Sequence, residues 1–349
     1  MKKFFKILAV FVAILGVAAI GGWYFTFGNT PALSAQCTGK NLLADMEREA
    51  PVISANMQAE ANQTLYGKGL TWKIEKPGVA PSYLFGTIHM SDPRLLDFPA
   101  HVQKVLDEST TLALEVTEIL EPEKLKAMAS MVAKYTTYTD GTTLDDKLTE
   151  DQQNMIGNAV KAKMGLPWFV AKRMKPWVLM GTLSMPACEL ARKNAEKPVV
   201  DVKLGLIAKE QSKNIVGLET MESQLKAMNS LPENSSLTGL VQSVGMGGRM
   251  DDLFETMIQL YLKEDTGVIW AMMKRIGEEG YVKPQENENY AEFQKKIVVK
   301  RNHTMAEESA KLIDKGGAFI AVGSLHLPGE DGMLNILAQR GYTISRVEG

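Results

Sequence analysis

Two histidines occupy the same short sequence context at opposite ends of this 349-residue chain. His89 ends the segment Tyr-Leu-Phe-Gly-Thr-Ile-His, and His326 ends Phe-Ile-Ala-Val-Gly-Ser-Leu-His. An apolar run followed by Gly-x-x-His is typical of a buried strand that turns at its glycine. Open α/β sheets place their ligand sites at the carboxyl ends of strands. Because the chain contains four histidines in all, the repeated pattern predicts that these two imidazoles share one site.

Two carboxylates follow other apolar runs in the same way. Glu115 comes directly after Leu-Ala-Leu, and Glu219 after Ile-Val-Gly-Leu. A carboxylate facing the interior needs a partner, although alternation also allows Glu115 to face solvent, and Glu219 could be a charge before a helix. Imidazole and carboxylate ligands suit Zn, Mn, Co or Fe, and an open position on such an ion activates water for hydrolysis. The predicted metal ligands are His89, His326, Glu115 and Glu219.

The elements that must position these side chains form two similar units. Each reads as strand, loop, helix, strand, at residues 82–88, 99–109 and 111–116 and again at 318–323, 332–340 and 342–347. A right-handed crossover makes the strands of the first unit parallel neighbours. A further strand at 71–75 is predicted to form a hairpin with the strand at 82–88. The fold class is therefore α/β, a small mixed β-sheet built from two strand–loop–helix–strand halves, with large helical insertions at about 121–198 and 230–314.

The N-terminal region has the pattern of a membrane-targeting segment. Lysines precede an uncharged stretch from Ile7 to Phe27, which is long enough for a spanning helix and ends in aromatic residues. Residues 1–35 are predicted to be a signal-anchor or, if Ala32–Ala35 is cleaved, a signal peptide. Residues 36–69 form a helical lead-in, with one helix over Leu42–Gln63, and the main domain covers residues 70–349. In either case we expect the body of the protein, the part that follows this N-terminal segment, to be exported.

Composition restricts the function further. The net charge is −2 and there is no basic tract, which excludes nucleic acid as a partner. Cys37 and Cys188 favour a disulfide in an oxidising compartment, with two buried free thiols as the alternative. Twenty methionines suggest an adaptable apolar cleft for the substrate, or ordinary core filling.

Several segments together resemble the TraB/GumN family, and in particular its GumN-like bacterial branch, within a superfamily that includes PrgY-type pheromone-shutdown proteins and the Tiki proteases. The resemblance covers about residues 70–349. It is carried by Leu84–His89, Asp92–Arg94, Ala113–Val116, Gly217–Thr220 with Gln224, Arg301-Asn302 with Met305, and Val322–Gly329. It implies a metal-dependent hydrolase whose site holds His89, Glu115, Glu219 and His326. Arg301 would lie nearby as an electrostatic group, assisted by Asn302.

We therefore expect an exported metal-dependent hydrolase that acts as a peptidase on peptides or unfolded segments. Its catalytic residues would be Glu115, Glu219, Arg301 and Asn302, with one glutamate as general base and the other helping to hold a divalent ion. The body would lie in the bacterial cell envelope, anchored to the inner membrane and facing the periplasm, or secreted to the periplasm if the signal is cleaved.

Three alternatives use the same residues differently. The protein could sequester a peptide without cleaving it, or hydrolyse esters without a metal by using histidine as a base. It could also carry haem or iron, although no Cys-x-x-Cys-His motif occurs. His101 is expected to be a surface or structural residue, and His303 to rotate away from Arg301 on its helix.

Overall fold

The computed structural model describes residues 33–278 and 292–348 and shows a mixed α/β protein with one six-stranded sheet in these residues. The strands are β1 (Thr71–Glu75), β2 (Ser82–Thr87), β3 (Thr111–Leu114), β4 (Asn214–Gly217), β5 (Ala318–Gly323) and β6 (Thr343–Arg346). The α-helices are α1 (Leu43–Glu49), α2 (Pro51–Gln63), α3 (Pro93–Leu96), α4 (Ala100–Glu108), α5 (Pro122–Ala127), α6 (Ala129–Thr136), α7 (Glu150–Met164), α8 (Trp168–Ala171), α9 (Pro176–Ser184), α10 (Ala187–Asn194), α11 (Val200–Glu210), α12 (Met221–Asn229), α13 (Glu233–Met246), α14 (Arg249–Leu262), α15 (Thr266–Glu278), α16 (Lys300–Ile313) and α17 (Met333–Gln339).

The strand order is β4-β3-β5-β2-β1-β6. Strands β4, β3, β5 and β2 run parallel, whereas β1 is antiparallel to both of its neighbours. The predicted β1–β2 hairpin is confirmed. The prediction that β2 and β3 are direct neighbours is wrong, because β5 lies between them. Five of the six β5 residues are buried, and such an apolar strand is stabilised best at the centre of a sheet covered on both faces.

Both faces of the sheet are covered by apolar side chains. Successive strand residues point to opposite faces, so Phe319 joins the large core beneath the helical insertions while Ile320 joins a smaller core on the other face. Helices α16 and α17 supply that second core through residues such as Met305 and Leu334. The four parallel strands are thereby held rigidly, and their carboxyl ends lie along one edge of the sheet.

The helical lead-in is divided into two helices rather than one. Helix α1 ends at Glu49 and α2 begins at Pro51, with Ala50 in a non-helical conformation between them (φ −142°, ψ 56°). A residue before proline is disfavoured in the helical region, which explains the break.

The methionines expected to line a substrate cleft are largely buried in the main core. Met174, Met180, Met257 and Met273, all from the two insertions, are each at most 4% exposed. Core filling therefore accounts for them better than an open methionine-rich groove.

The predicted disulfide is confirmed, since Cys37 and Cys188 are bonded. It fastens the segment before α1 to helix α10. We expect its removal in the Cys37→Ser/Cys188→Ser variant to lower the free energy of unfolding by about 2–5 kcal/mol, because the link spans 151 residues and restricts the unfolded chain. Urea unfolding of both proteins, with and without reductant, measures this. An unfolding midpoint that reductant leaves unchanged in the unsubstituted protein would contradict it.

The predicted signal or anchor segment, residues 1–35, lies almost entirely outside the described residues, which begin at residue 33. Within residues 33–278 and 292–348, no helix is both long and apolar enough to cross a bilayer.

Candidate active site

Four side chains meet beyond the carboxyl ends of the parallel strands. His89 follows β2, Glu115 follows β3, Glu219 follows β4 and His326 follows β5. The β3–β4 ladder continues past both strands, with the Glu219 amide donating to the Glu115 carbonyl at 2.8 Å. The structure thus brings together all four residues that the sequence proposed as metal ligands.

Both imidazoles form a hydrogen bond through Nδ1, and both direct Nε2 towards the same carboxylate. The Nε2 atoms of His89 and His326 each lie 3.9 Å from Oε1 of Glu115. Nδ1 of His89 is 2.6 Å from Oδ2 of Asp201, and Nδ1 of His326 is 2.5 Å from Oδ1 of Asn302. The two rings therefore present equivalent nitrogens towards Glu115.

Glu115 is the centre of this cluster and is 5% exposed. Its Oε1 accepts the Gly323 amide at 2.7 Å, and its Oε2 accepts from Gln224 Nε2 at 3.0 Å and from Arg301 Nη2 at 2.5 Å. Burial raises the pKa of this carboxyl, but Arg301, the two imidazoles and the hydrogen bond from the Gly323 amide together lower it well below its usual range. Glu115 is therefore an anion at neutral pH.

Arg301 joins the two glutamates. Its Nε lies 3.0 and 3.2 Å from the two carboxylate oxygens of Glu219, whose side chain is 3% exposed. Its Nη1 lies 3.3 Å from Nε2 of His326. Burial raises the pKa of Glu219 in spite of this cation, whereas burial lowers the pKa of Arg301 and the two carboxylates raise it above its ordinary value.

The backbone before Arg301 is unusual. A π-helical turn at Gln294–Val299 leads into α16, and Arg301 Nη1 contacts the Ile297 carbonyl within it at 3.4 Å. π-helical turns inside helices often occur at functional sites, because they change the direction of the following side chains. Here the turn precedes Arg301 and Asn302, both of which contact the cluster.

The two histidines differ in charge. Burial alone would lower the pKa of His89. The Asp201 and Glu115 carboxylates have the larger, opposite effect and raise this pKa to about 9. Burial lowers the pKa of His326 to about 3, because Arg301 and His89 oppose the effect of Glu115 and the partner of its Nδ1 is a neutral amide. His89 is thus an imidazolium and His326 is neutral at pH 7.

The space between these groups suits a small cation. A side chain on Gly323 would place Cβ 3.3 Å from Glu115 Oε1, 3.4 Å from His326 Cδ2 and 3.7 Å from His89 Nε2. The glycine therefore leaves room where two imidazole nitrogens and a carboxylate oxygen converge, a donor set that fits Zn, Mn, Co or Fe. Glu219 is less available, since Arg301 contacts both of its oxygens. An ion at His89 must displace the proton on Nε2.

These ligand atoms are not yet gathered to metal-binding distance. In the described part of the chain, the group of three ligand-type atoms mutually within 4.8 Å is Cys37, Asp92 and Glu189. Cys37 is bonded to Cys188 there, so its sulfur is not a thiolate ligand.

The remaining histidines and Asn302 are placed as follows. Asn302 contacts His326 and donates from Nδ2 to the Asp331 carbonyl at 2.6 Å, so it supports the imidazole rather than Arg301. His303 is exposed on α16, as its helical position predicts, and His101 lies on α4.

Sequence reasoning missed Asp201. This residue lies in the first turn of α11 on the buried face that also carries Leu204, Gly205 and Ala208. An acid at the i position of an i, i+3, i+4, i+7 apolar stripe is the signal that could have identified it.

Comparison with known sequences assigns the chain to a family. The sequence model of the TraB/PrgY/gumN family matches residues 70–346. The chain belongs to this family. It is 21% identical to Metalloprotease TIKI1 of Xenopus tropicalis, over 83% of this chain and 64% of that protein, and 23% identical to Metalloprotease TIKI2 of the same species, over 76% and 57%. It is also 21% identical to Uncharacterized protein YbaP of Shigella flexneri, over 78% of this chain and 95% of YbaP.

The alignment with this chain covers less than two thirds of the length of each of these two TIKI proteins. No solved structure gives a significant match. The matched residues 70–346 contain all the strands and all four clustered side chains described above. Two of these relatives are named metalloproteases, and the third is an uncharacterized protein.

Proposed function

We propose that this TraB-family protein is a metal-dependent hydrolase that cleaves peptides or unfolded protein segments. One observation carries the proposal most directly: two imidazole Nε2 atoms face one carboxylate oxygen at 3.9 Å, with both Nδ1 atoms already bonded. Histidines that hold metal ions have this arrangement, in which the second ring nitrogen donates to a protein acceptor.

The residues divide the work as follows. His89, His326 and Glu115 would hold a divalent ion, which when bound polarises a carbonyl and makes a water more acidic. Glu219 would accept the proton of the attacking water, because it is the carboxylate without a contact to either imidazole. Arg301 would keep both carboxylates charged and oriented, and its Nη1, the corner that faces His326, would stabilise negative charge on the reacting oxygen.

A second candidate, peptide binding without cleavage, is favoured by one contact. Arg301 already pairs with both Glu115 and Glu219 and lies 3.3 Å from His326 Nε2, so the protein's own cation already neutralises part of the negative charge of the cluster. A binding protein of this kind would tolerate replacement of Glu219. A hydrolase would not.

We also propose that the body works outside the cytoplasm. The Cys37–Cys188 disulfide is of a kind that persists in oxidising compartments, and the apolar segment Ile7–Phe27 has the pattern of an export signal or anchor. The membrane tether remains a proposal that a cell-fractionation experiment on the full chain would test.

Glu219→Gln is expected to lower kcat for a quenched fluorescent peptide by about 10²–10⁴-fold, the usual contribution of a general base, while bound metal is retained. Glu115→Gln is expected to lose both metal and turnover. Glu222→Gln is the matched control, since this glutamate lies on α12 three residues away and bonds Tyr135 instead of Arg301. Unchanged turnover in Glu219→Gln would reject Glu219 as the base, and cleavage that survives complete chelation would reject the metal-dependent reaction.

A further inference from the structure

Both carboxylate oxygens of Asp201 form hydrogen bonds with other side chains of the protein. Asp201 is 3% exposed, and its two oxygens have different partners: Oδ1 accepts from the Thr87 hydroxyl at 2.8 Å, and Oδ2 bonds His89 Nδ1 at 2.6 Å. Its position in the first turn of α11 stabilises the negative charge through the helix dipole. The Val200 amide also donates to the Met90 carbonyl, which fastens the start of this helix to the segment after His89.

This geometry determines which nitrogen of His89 faces the site. A carboxylate can only accept hydrogen bonds, so Nδ1 must carry a hydrogen whether the ring is charged or neutral. In the neutral ring, the lone pair is therefore on Nε2, which faces Glu115. The opposite tautomer would leave the Nδ1 lone pair against the Asp201 carboxylate, a repulsive contact in a buried site.

His326 has a corresponding but uncharged support. Its Nδ1 faces Asn302 Oδ1, and the orientation of that amide is fixed because Nδ2 donates to the Asp331 carbonyl. The two rings are therefore oriented by the same device, an acceptor behind Nδ1 that is itself held by a second hydrogen bond. The difference is that His89 is supported by an anion, which increases the donor strength of the imidazole towards a cation.

We propose that Asp201 is a positioning residue that fixes the orientation and tautomer of His89 and thereby prepares Nε2 to bind the divalent ion, with Thr87 fixing Asp201 in turn. This inference rests on the proposed metal-dependent function, but its hydrogen-bond component can be tested in the metal-free protein. Asp201 acts through His89 and does not itself approach Glu115 or His326 by any contact that the described residues show.

The test compares Asp201→Asn with Thr87→Val and with Glu189→Gln, in the folded protein. Glu189 is the matched control because it is another buried carboxylate, it accepts from Ser91 two residues after His89, and it does not touch the imidazole. Zn²⁺ affinity is measured by competition with a chelator. In the metal-free protein, the ¹H NMR signal of the His89 Nδ1–H, assigned by its loss in His89→Gln, reports the short bond to Asp201.

Asp201→Asn is expected to bind Zn²⁺ about 10–100-fold more weakly and to lose the far-downfield Nδ1–H signal. Thr87→Val should show a smaller loss of affinity, and Glu189→Gln should keep both affinity and signal. Unchanged Zn²⁺ affinity in Asp201→Asn, or an equal loss in Glu189→Gln, would overturn the proposal. If the unsubstituted protein binds no ion, the proposed metal-dependent function is rejected. The NMR signal then tests only whether Asp201 orients His89 by a hydrogen bond. A far-downfield signal that persists in Asp201→Asn would reject this orienting role as well.

Discussion

Replacing Arg301 by methionine is expected to lower the free energy of unfolding by about 3–5 kcal/mol, the usual cost of leaving a buried charge without its partner. The guanidinium is 11% exposed and contacts two carboxylates that are 5% and 3% exposed. Methionine fills much of the same volume, so the effect measured is mainly electrostatic. Urea unfolding of the variant and of the unsubstituted protein at neutral pH gives the difference.

The matched control is Arg346→Met, which removes an ion pair to Glu264 in which the arginine side chain is 34% exposed. That change should cost less than about 1 kcal/mol, because solvent screens exposed pairs. Equal effects of the two substitutions would show that the Arg301 ion pairs do not support the fold. The double variant Arg301→Met/Glu115→Gln should recover part of the loss, since it removes one of the two orphaned charges.

The pH dependence of Arg301→Met should be opposite to that produced by Glu115 in the unsubstituted protein. The lowered pKa of Glu115 contributes stability that is present above its ordinary value of 4.5 and is lost as pH falls through the folded-state pKa. Without Arg301, the pKa of Glu219, which burial already raises, loses the opposing effect of this cation, so protonation of Glu219 on acidification reduces the destabilisation of the variant. We therefore expect the stability deficit to shrink as pH is lowered from about 7 to about 5. A deficit that grows over this range would contradict the account.

Alanine at either His89 or His326 is expected to reduce peptide cleavage by about 10³-fold or more. An ion that polarises a carbonyl and activates water contributes several kcal/mol, and each 1.36 kcal/mol corresponds to a factor of ten in rate. Turnover of a quenched fluorescent peptide measures the loss. Thermal unfolding must accompany it, since His89→Ala also leaves the buried Asp201 carboxylate with Thr87 as its remaining side-chain partner.

His303→Ala is the control for this pair, because His303 is exposed on α16 only two residues after Arg301. It should cleave peptide at the rate of the unsubstituted protein. Full activity in His89→Ala or His326→Ala would remove that histidine from the reaction.

The convergence of the four side chains could be predicted from the sequence because each of them follows a strand. A buried parallel strand is recognisable as a short apolar run, and the rule that ligands gather at carboxyl ends then places the following His or Glu. This is why His89, Glu115, Glu219 and His326 could be grouped although up to 237 positions separate them in the sequence (326 minus 89). Arg301 and Asn302 could be added only through the family resemblance.

Other features depend on packing that a single sequence does not display. The insertion of β5 between β2 and β3 is decided by which strand gains most from central burial, a comparison among strands that periodicity within one strand does not make. Asp201 approaches His89 across 112 residues, and the π-helical turn before Arg301 has no simple sequence pattern. The methionines were open to two interpretations, and only their burial distinguishes core from cleft.

The central claim is that His89, His326 and Glu115 hold a divalent ion. Its most direct test is elemental analysis of the purified body, from about Gln36, beside the His89→Ala/His326→Ala variant, with both proteins shown to be folded. The account predicts near-stoichiometric Zn, Mn, Co or Fe in the unsubstituted protein and loss of that metal in the variant. No retained metal after reconstitution with each of the four ions, or equal metal content in both proteins, would contradict it and leave peptide binding as the better explanation of the site.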